Sequence, residues 1–135
     1  MIEHQQRAID LGIVVTDSAK ALAFYRDLLG FVHEGDMPMP IGGGGTMYRL
    51  RCGDSLIKLV ALDTVPAARP AAGPIDAGTG YRYFTIHMSN IAAVVEACAS
   101  AGVKVVVPVV ELRPKVTIAI VEDPDGNLVE FLQVG

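Results

Sequence analysis

The stretch Val121–Val134 reads VEDPDGNLVEFLQV and combines a tight turn with a strand. Residues 123–127 (DPDGN) predict the turn, because proline fixes φ, glycine accepts positive φ, and Asp and Asn bond their own backbone. Residues 128–132 (LVEFL) predict a strand that is apolar apart from Glu130. A charge within a strand costs free energy unless it is paired, metal-bound or exposed to a wet pocket. Glu130 is therefore the first candidate functional residue.

The beginning of the chain predicts a strand followed by a helix. Residues 8–15 (AIDLGIVV) are β-branched and apolar, which is typical of a strand. Asp17 is a favourable N-cap for a helix over 18–29, since a short carboxylate accepts from the free N–H groups of a first turn. Gly30 suits the C-terminal cap because it tolerates positive φ. A second strand is predicted to begin at 31–34.

A loop and a hairpin follow. Residues 37–45 (MPMPIGGGG) predict a flexible loop, acting as a hairpin tip or a lid with an apolar Met surface. It is not a phosphate-binding loop, because no Lys-Ser/Thr follows the glycines and a strand rather than a helix comes next. Residues 46–51 and 55–62 predict a hairpin that turns at Gly53-Asp54.

The composition then changes, and the pattern restarts. Residues 63–80 are rich in Pro, Ala and Gly, which indicates a semi-extended linker. Beyond it we predict a strand over 83–88, a helix over 91–101 capped by Ser89 or Asn90 and ended by Gly102, and strands at 103–107, 116–122 and 128–134.

The two halves are related by a nearly constant offset in residue number. The equivalent pairs are Asp17 and Asn90 (90 − 17 = 73), Gly30 and Gly102 (102 − 30 = 72), and Lys58 and Glu130 (130 − 58 = 72). This indicates a duplicated βαβββ module. We predict one α+β domain over 1–135, with module one at about 8–62, a linker at about 63–80 and module two at about 81–135.

Two segments resemble one known superfamily. The turn with its glutamate-bearing strand resembles the end of vicinal oxygen chelate proteins, the group of glyoxalases, bleomycin-resistance proteins and extradiol dioxygenases. Residues 23–31 (AFYRDLLGF) are similar to the family's first helix, FYRDxLGF. The resemblance implies an eight-stranded, cup-shaped mixed sheet around one pocket, with the helices outside. It also implies a homodimer that binds a small molecule.

The resemblance places four residues where metal-dependent members carry their ligands: Asp10, Lys58, Tyr83 and Glu130. Lys58 has three donors and no acceptor, so it repels a divalent ion. Tyr83 ligates well only when ionised, and its ordinary pKa is about 10. We therefore expect no metal cofactor, and a divalent metal only if the strand register differs from this assignment. Instead, Lys58 is predicted to replace the cation between Asp10 and Glu130, either as a catalytic group or as a structural ion pair.

Strand alternation predicts which side chains face the pocket. On the strand over 83–88 these are Tyr83, Thr85 and His87, since the alternate residues are more apolar. His87 is the second acid–base candidate after Glu130, because its ordinary pKa lies near neutrality. The remaining inward positions are Asp10, Gly12, Val14, Leu56, Lys58, Val60, Leu128, Glu130 and Leu132. Thr85, Arg49, Met39 and Leu128 are the candidate substrate-binding residues.

Composition limits the partners. The net charge is −4, and no basic stripe with interleaved aromatic residues indicates nucleic acid. The apolar runs are too short to span a membrane. Residues 1–7 (MIEHQQR) lack the apolar core of a signal peptide, and Cys52 and Cys98 lie in unlike contexts, as expected of reduced thiols in the cytoplasm.

Three functions are compatible with these features. The first is a metal-independent isomerase or lyase that uses Glu130 or His87 as base on a small carbonyl compound, with Lys58 and Tyr83 stabilising the oxyanion. The second is a non-catalytic protein that sequesters a ligand, as in bleomycin resistance. The third, against which the four positions argue, is a metal-dependent glyoxalase, epimerase or dioxygenase.

Overall fold

Both halves of the chain fold into the same sequence of elements. A computed structural model describes residues 1–135, which form two compact units, residues 1–67 and 68–135. The first unit contains β1 (Asp10–Val14), α1 (Ser18–Leu22) with a π-helical continuation (Ala23–Leu28), β2 (Val32–Pro38), β3 (Gly45–Cys52) and β4 (Ser55–Leu62). The second contains a 3₁₀ turn (Ile75–Ala77), β5 (Tyr83–His87), α2 (Ile91–Ser100), β6 (Val105–Arg113), β7 (Val116–Glu122) and β8 (Leu128–Val134).

Each unit holds one four-stranded mixed sheet. The strand orders are β1-β4-β3-β2 and β5-β8-β7-β6, so the second sheet repeats the first. In each sheet the first strand of the unit pairs in parallel with the last, and the other neighbours are antiparallel. The predicted α+β fold of two βαβββ modules is confirmed.

The register confirms the offset between the two modules. Gly12 pairs with Lys58 in the first sheet, and Thr85 pairs with Glu130 in the second. Gly12 and Thr85 are separated by 85 − 12 = 73 residues, and Lys58 and Glu130 by 130 − 58 = 72 residues, as the sequence predicts. Lys58 and Glu130 therefore occupy equivalent positions on the last strand of their units.

The core of the first unit lies between its helix and one face of its sheet. Tyr25, Leu50 and Leu59 are fully buried there. The ring of Tyr25 meets that of Phe24 edge to face at a centroid distance of 4.7 Å, a favoured geometry for aromatic pairs. Asp17 caps α1 by accepting from the backbone N–H of Lys20 at 3.1 Å, as predicted.

The second unit has the same construction. The buried side chains Ala119, Val121, Val129 and Phe131 alternate along β7 and β8 on the side that contacts α2, and Cys98 of α2 is also fully buried. Because successive side chains of a strand point to opposite faces, the residues between them lie on the other face of the sheet, where Ile118, Ile120 and Leu128 are buried too. None of the helices is long and apolar enough to cross a membrane.

The loop predicted over 37–45 begins later than the sequence suggests. Met37 and Pro38 belong to β2, where they pair with Met47 and Thr46 of β3. Proline is tolerated because β2 is an edge strand, so its missing N–H breaks no ladder on the outer side. The two residues are therefore part of the sheet and not of a flexible loop or lid.

The linker is held by one arginine that the sequence analysis did not single out. The Arg82 guanidinium donates to the carbonyls of Ala71 at 2.9 Å, Pro74 at 2.6 Å and Ile75 at 3.0 Å. A segment with few large apolar side chains gains its order from these bonds, since a guanidinium offers five donors in a fixed fork.

The N-terminus of α2 is capped from a distant strand. Asn90 occupies the N-cap position, as predicted, but its side chain makes no hydrogen bond to the first turn of the helix. The predicted side-chain cap is therefore wrong. Instead the Gln133 side chain of β8 accepts from the backbone N–H of Ile91 at 2.9 Å. This bond ties the helix to the sheet.

Gln133→Ala removes that acceptor and is expected to lower the free energy of unfolding by about 1 kcal/mol, the usual cost of a lost cap. Urea unfolding followed by circular dichroism measures the change. Gln133→Glu keeps an acceptor and adds a charge that the helix N-terminus favours, so it should retain stability. Equal losses in the two variants would show that packing, not capping, is responsible.

Candidate functional site

The side of the first sheet away from α1 carries an ion pair. Lys58 Nζ lies 3.2 Å from Asp10 Oδ2, and about one third of each side chain is exposed. Asp10 belongs to β1 and Lys58 to the adjacent β4, so the register of the parallel pair brings them together. The contact between Asp10 and Lys58 was predicted.

The carboxylate of Asp10 has a second partner that the sequence analysis missed. Gln6 donates its side-chain amide to Asp10 Oδ1 at 3.2 Å and to the carbonyl of Ala8 at 2.8 Å. The Gln6 bond, followed by the bond from Lys58, holds the pKa of Asp10 below its ordinary value. No pattern in the N-terminal segment reveals this role, because it depends on where the segment folds back.

Gln6→Ala is expected to raise the pKa of Asp10 toward its ordinary value, and Lys58→Met to raise it as well. A lowered folded pKa stabilises the protein above the unfolded pKa, and this contribution is lost as the pH falls through the folded pKa. The stability advantage of wild type over Gln6→Ala should therefore shrink in acid. NMR titration of the Asp10 carboxyl carbon gives the shift directly, and an unchanged titration in both variants would refute this assignment.

Further along the same face, Arg51 forms a forked pair with Glu34. The two bonds measure 2.8 Å and 3.1 Å. They hold the pKa of Glu34 below its ordinary value. Arg49, two residues before Arg51 on β3, makes no hydrogen bond or ion pair, although it is only partly exposed. Met39 is half-buried in the loop after β2.

In the second unit, Glu130 is held by a hydroxyl. Thr85 donates Oγ1–H to Glu130 Oε1 at 2.6 Å, and both side chains are half-buried. The two residues are direct partners in the parallel β5–β8 pairing. Glu130 Oε2 accepts no hydrogen bond. A charge-assisted bond of this length fixes the carboxylate and leaves one oxygen available.

Apolar side chains surround this carboxylate. Ile120 pairs with Glu130 across β7 and β8, and it belongs to a buried cluster with Val116, Ile118 and Leu128. Leu128 was a predicted substrate-binding residue and is almost fully buried. An electrostatic interaction is stronger in such surroundings than in water.

Tyr83 and His87 lie on either side of Thr85 on β5. Tyr83 pairs with Leu128 and His87 with Leu132, so neither is the direct partner of Glu130. Both side chains are exposed, Tyr83 by 47%. The second unit thus brings five of the predicted residues to one sheet face: Tyr83, Thr85, His87, Leu128 and Glu130.

The four positions implied by the resemblance do not fit a divalent metal. At one of them the ammonium of Lys58 binds the carboxylate of Asp10, which would otherwise be a ligand. No group of three His, Cys, Asp or Glu side chains lies together in a way that could hold a metal ion. Asp10 and Lys58 belong to the first unit and Glu130 to the second, and a triad of the three stays a prediction.

The strand order repeated in the two units defines a duplicated βαβββ protein. A model of the Glyoxalase/Bleomycin resistance protein/Dioxygenase superfamily matches residues 7–131, and the chain belongs to this superfamily. The resemblance seen in the sequence is thereby confirmed. A search of curated proteins finds no match.

Several solved structures share the fold. A glyoxalase family protein from Bacillus cereus has a TM-score of 0.83 at 19% identity, over 99% of this chain and 98% of that one. The antibiotic binding protein TnmS3 from Streptomyces sp. CB03234 has a TM-score of 0.69 at 24% identity, over 99% and 98%. A virulence protein from Salmonella typhimurium has a TM-score of 0.63 at 25% identity, over 100% of both chains.

Proposed function

We propose that the protein is a metal-independent acid–base enzyme of the isomerase or lyase type, acting on a small carbonyl compound. Glu130 is the general base that removes a proton next to the carbonyl. Thr85 is the positioning residue that holds the base. Tyr83 and His87 supply the hydrogen bonds to the substrate oxygen, on which negative charge develops.

The contact between Thr85 and Glu130 carries this proposal. A general base has to reach the proton at about 2.6–3.2 Å in a defined orientation. The 2.6 Å bond from Thr85 engages Oε1 of Glu130 and leaves Oε2 as the oxygen that would accept the substrate proton. The carboxylate is thus oriented by a second group, as in other sites where a base is held in place by a neighbour.

The apolar cluster beside Glu130 also favours acid–base catalysis, because it excludes water from one side of the carboxylate. Ile118, Ile120 and Leu128 limit the water that reaches the inner side of the carboxylate. Donors aimed at a developing oxyanion stabilise it more where water is excluded. Tyr83 and His87 are each two residues from Thr85, about 7 Å along the strand, so a small molecule placed over Glu130 lies within reach of either side chain.

Proton exchange tests the proposal without knowledge of the substrate. The protein is incubated in D₂O with a panel of small aldehydes, ketones and 2-oxo acids, and deuterium incorporation next to the carbonyl is followed by ¹H NMR. We expect exchange above the buffer rate for at least one compound, unchanged by excess EDTA. Exchange that disappears with EDTA and returns with a divalent ion would overturn the metal-independent assignment.

A second candidate function is ligand sequestration without turnover. The observation that favours it is the apolar surface beside Glu130, where the partly exposed side chains Val107 and Leu132 pack on a buried apolar cluster. A structural neighbour of this chain is described as an antibiotic binding protein. Compounds that raise the melting temperature but show neither exchange nor product would support this function over the first.

We also propose a cytoplasmic homodimer. The mean hydropathy of +0.41 and the exposed apolar side chains Ile9 and Leu112 favour an additional buried interface. The two free cysteines, Cys52 and Cys98, are those of a reducing compartment. Light scattering coupled to size-exclusion chromatography measures the mass in solution.

A further inference from the structure

One row of residues crosses all four strands of the first sheet, on the side away from α1. In strand order it consists of Gly12 on β1, Lys58 on β4, Arg49 on β3 and Gly35 on β2. We name these four residues the cationic row. The equivalent row of the second sheet is Thr85, Glu130, Ile120 and Val107, which carries a negative charge instead.

The two charges of the cationic row repel each other. Lys58 and Arg49 are direct partners in the β3–β4 pairing, and like charges opposite each other destabilise a sheet. Lys58 is compensated by Asp10 at 3.2 Å, and Arg51 on the same face by Glu34 at 2.8 Å. Arg49 makes no hydrogen bond and no ion pair of its own, and the Glu34 carboxylate, which is bonded to Arg51, attracts it only at longer range. A partly buried guanidinium whose N–H donors make no hydrogen bond, next to an ammonium, is a position for an anion from outside the chain.

The glycines at both ends of the row leave room for that anion. A Cβ added at Gly12 or Gly35 would meet no heavy atom within 4 Å. Gly35 also has a φ of +152°, which favours glycine over other residues. The two cations are therefore flanked by open space rather than by neighbouring side chains.

The next row on the same face is apolar. It consists of Val14, Val60, Met47 and Met37, each two residues along its strand from a member of the cationic row. The distance between the rows is about 7 Å, the length of a short carbon chain or one aromatic ring. Val14 and Met37 are 51% and 42% exposed, so this row offers accessible apolar surface. Methionine side chains adapt to ligands of varied shape.

We infer that this face of the first unit is a binding site for small carboxylic acids with an apolar body. The carboxylate accepts a forked pair of hydrogen bonds from Arg49 and lies beside Lys58, and the body lies over Val60, Met47 and Met37. The inference concerns residues of the first unit and does not rest on Glu130 or on the proposed enzymatic activity.

The probe that tests it is 3-phenylpropanoate, with 3-phenylpropanamide as the uncharged equivalent and acetate as the head group alone. Binding is measured by isothermal titration calorimetry, and the Nε–H resonance of Arg49 is followed by NMR. We expect the propanoate to bind at least about 10-fold more tightly than either comparison compound. The amide lacks the charged carboxylate, and acetate lacks the apolar body. Arg49 Nε–H should shift on saturation with the propanoate.

Arg49→Gln should weaken propanoate binding at least about 10-fold, and Arg49→Lys should restore only part of it, since an ammonium cannot form the fork. Arg51→Gln is the matched control: it removes the same charge from the same strand face, but from a paired residue, and should weaken binding by less than about 3-fold. Equal weakening by Arg49→Gln and Arg51→Gln would reduce the effect to general electrostatic attraction and overturn the inference. So would equal affinity of the propanoate and the amide for the wild-type protein, a result that needs no variant to fold.

Discussion

Asp123→Ala is expected to lower the free energy of unfolding by about 3 kcal/mol, the largest stability effect of any single carboxylate in this chain. Asp123 is only 5% exposed, and its carboxylate accepts from three donors of the last turn. These are the backbone N–H groups of Asp125 at 2.9 Å and Asn127 at 2.8 Å, and the Asn127 side-chain amide at 2.9 Å. Alanine leaves all three without a partner.

The loss is large because the turn sets the register of β7 against β8. The backbone N–H of Asp123 donates to the carbonyl of Asn127 at 2.8 Å, and Gly126 takes a φ of +85° that closes the turn. The strands that it joins hold fully buried core residues such as Val121 and Phe131. A turn that loses its internal bonds no longer favours the pairing that buries this core.

Urea denaturation followed by circular dichroism measures the effect, with the midpoint and the slope fitted separately. Asp123→Asn should fall between wild type and alanine, because it keeps one acceptor but places an N–H group opposite the amide of Asn127. Asp54→Ala is the matched control, since Asp54 lies in the corresponding turn of the first module and is exposed; it should change stability by less than about 0.5 kcal/mol. A loss in Asp54→Ala as large as in Asp123→Ala would refute the role given to the buried carboxylate.

Glu130→Gln is expected to reduce the rate of proton exchange by about 10³-fold on the compound that exchanges fastest, within the usual range for a lost general base. The amide preserves the shape of the side chain and can still accept from Thr85, so the fold and ligand binding should remain. The loss should therefore fall on kcat rather than on KM.

Thr85→Val tests the positioning role in the same assay. It removes the 2.6 Å bond to Oε1 and keeps the branched shape of the side chain. We expect about a 10-fold lower kcat, less than the loss of the base itself, since removing one charge-assisted bond costs about 1.5 kcal/mol or more. Thr85→Ser, which keeps the hydroxyl, should recover most of the activity.

Glu111→Gln is the control for the charge change. Glu111 is an exposed glutamate on β6 of the same sheet and should leave the exchange rate unchanged. Full activity in Glu130→Gln would exclude Glu130 as the base. In that case His87→Gln is the next variant to assay, because His87 is the other acid–base side chain on this face.

Much of the fold could be predicted from local sequence. The turn over 123–127, the cap at Asp17 and the ends of the hairpin strands depend on residues within a few positions of each other, so their chemistry is visible in the sequence. The duplication is visible for a related reason, because each module satisfies the same local requirements at an offset of 72 or 73 (130 − 58 = 72; 90 − 17 = 73). The equivalence of Lys58 and Glu130 follows from that offset.

Other features depended on which distant segments meet. Gln133 caps a helix that begins at Ile91, and Arg82 binds carbonyls up to eleven residues away along the chain. Pro38 extends an edge strand, whereas local pattern assigned it to a loop. Side-chain hydrogen bonds of this kind leave no periodic signal, since each depends on one distance in the folded chain.

The candidate sites show the same division. Sequence alone identified Glu130, Lys58 and Asp10 as charges in strands, because isolated charges in apolar segments need a partner. Only the tertiary structure decided that Thr85 holds Glu130 and that Arg49 lies beside Lys58 without a hydrogen bond or ion pair of its own. The physical reason is the register of the sheet: hydrogen bonds between backbone groups, which all residues share, determine which side chains become neighbours.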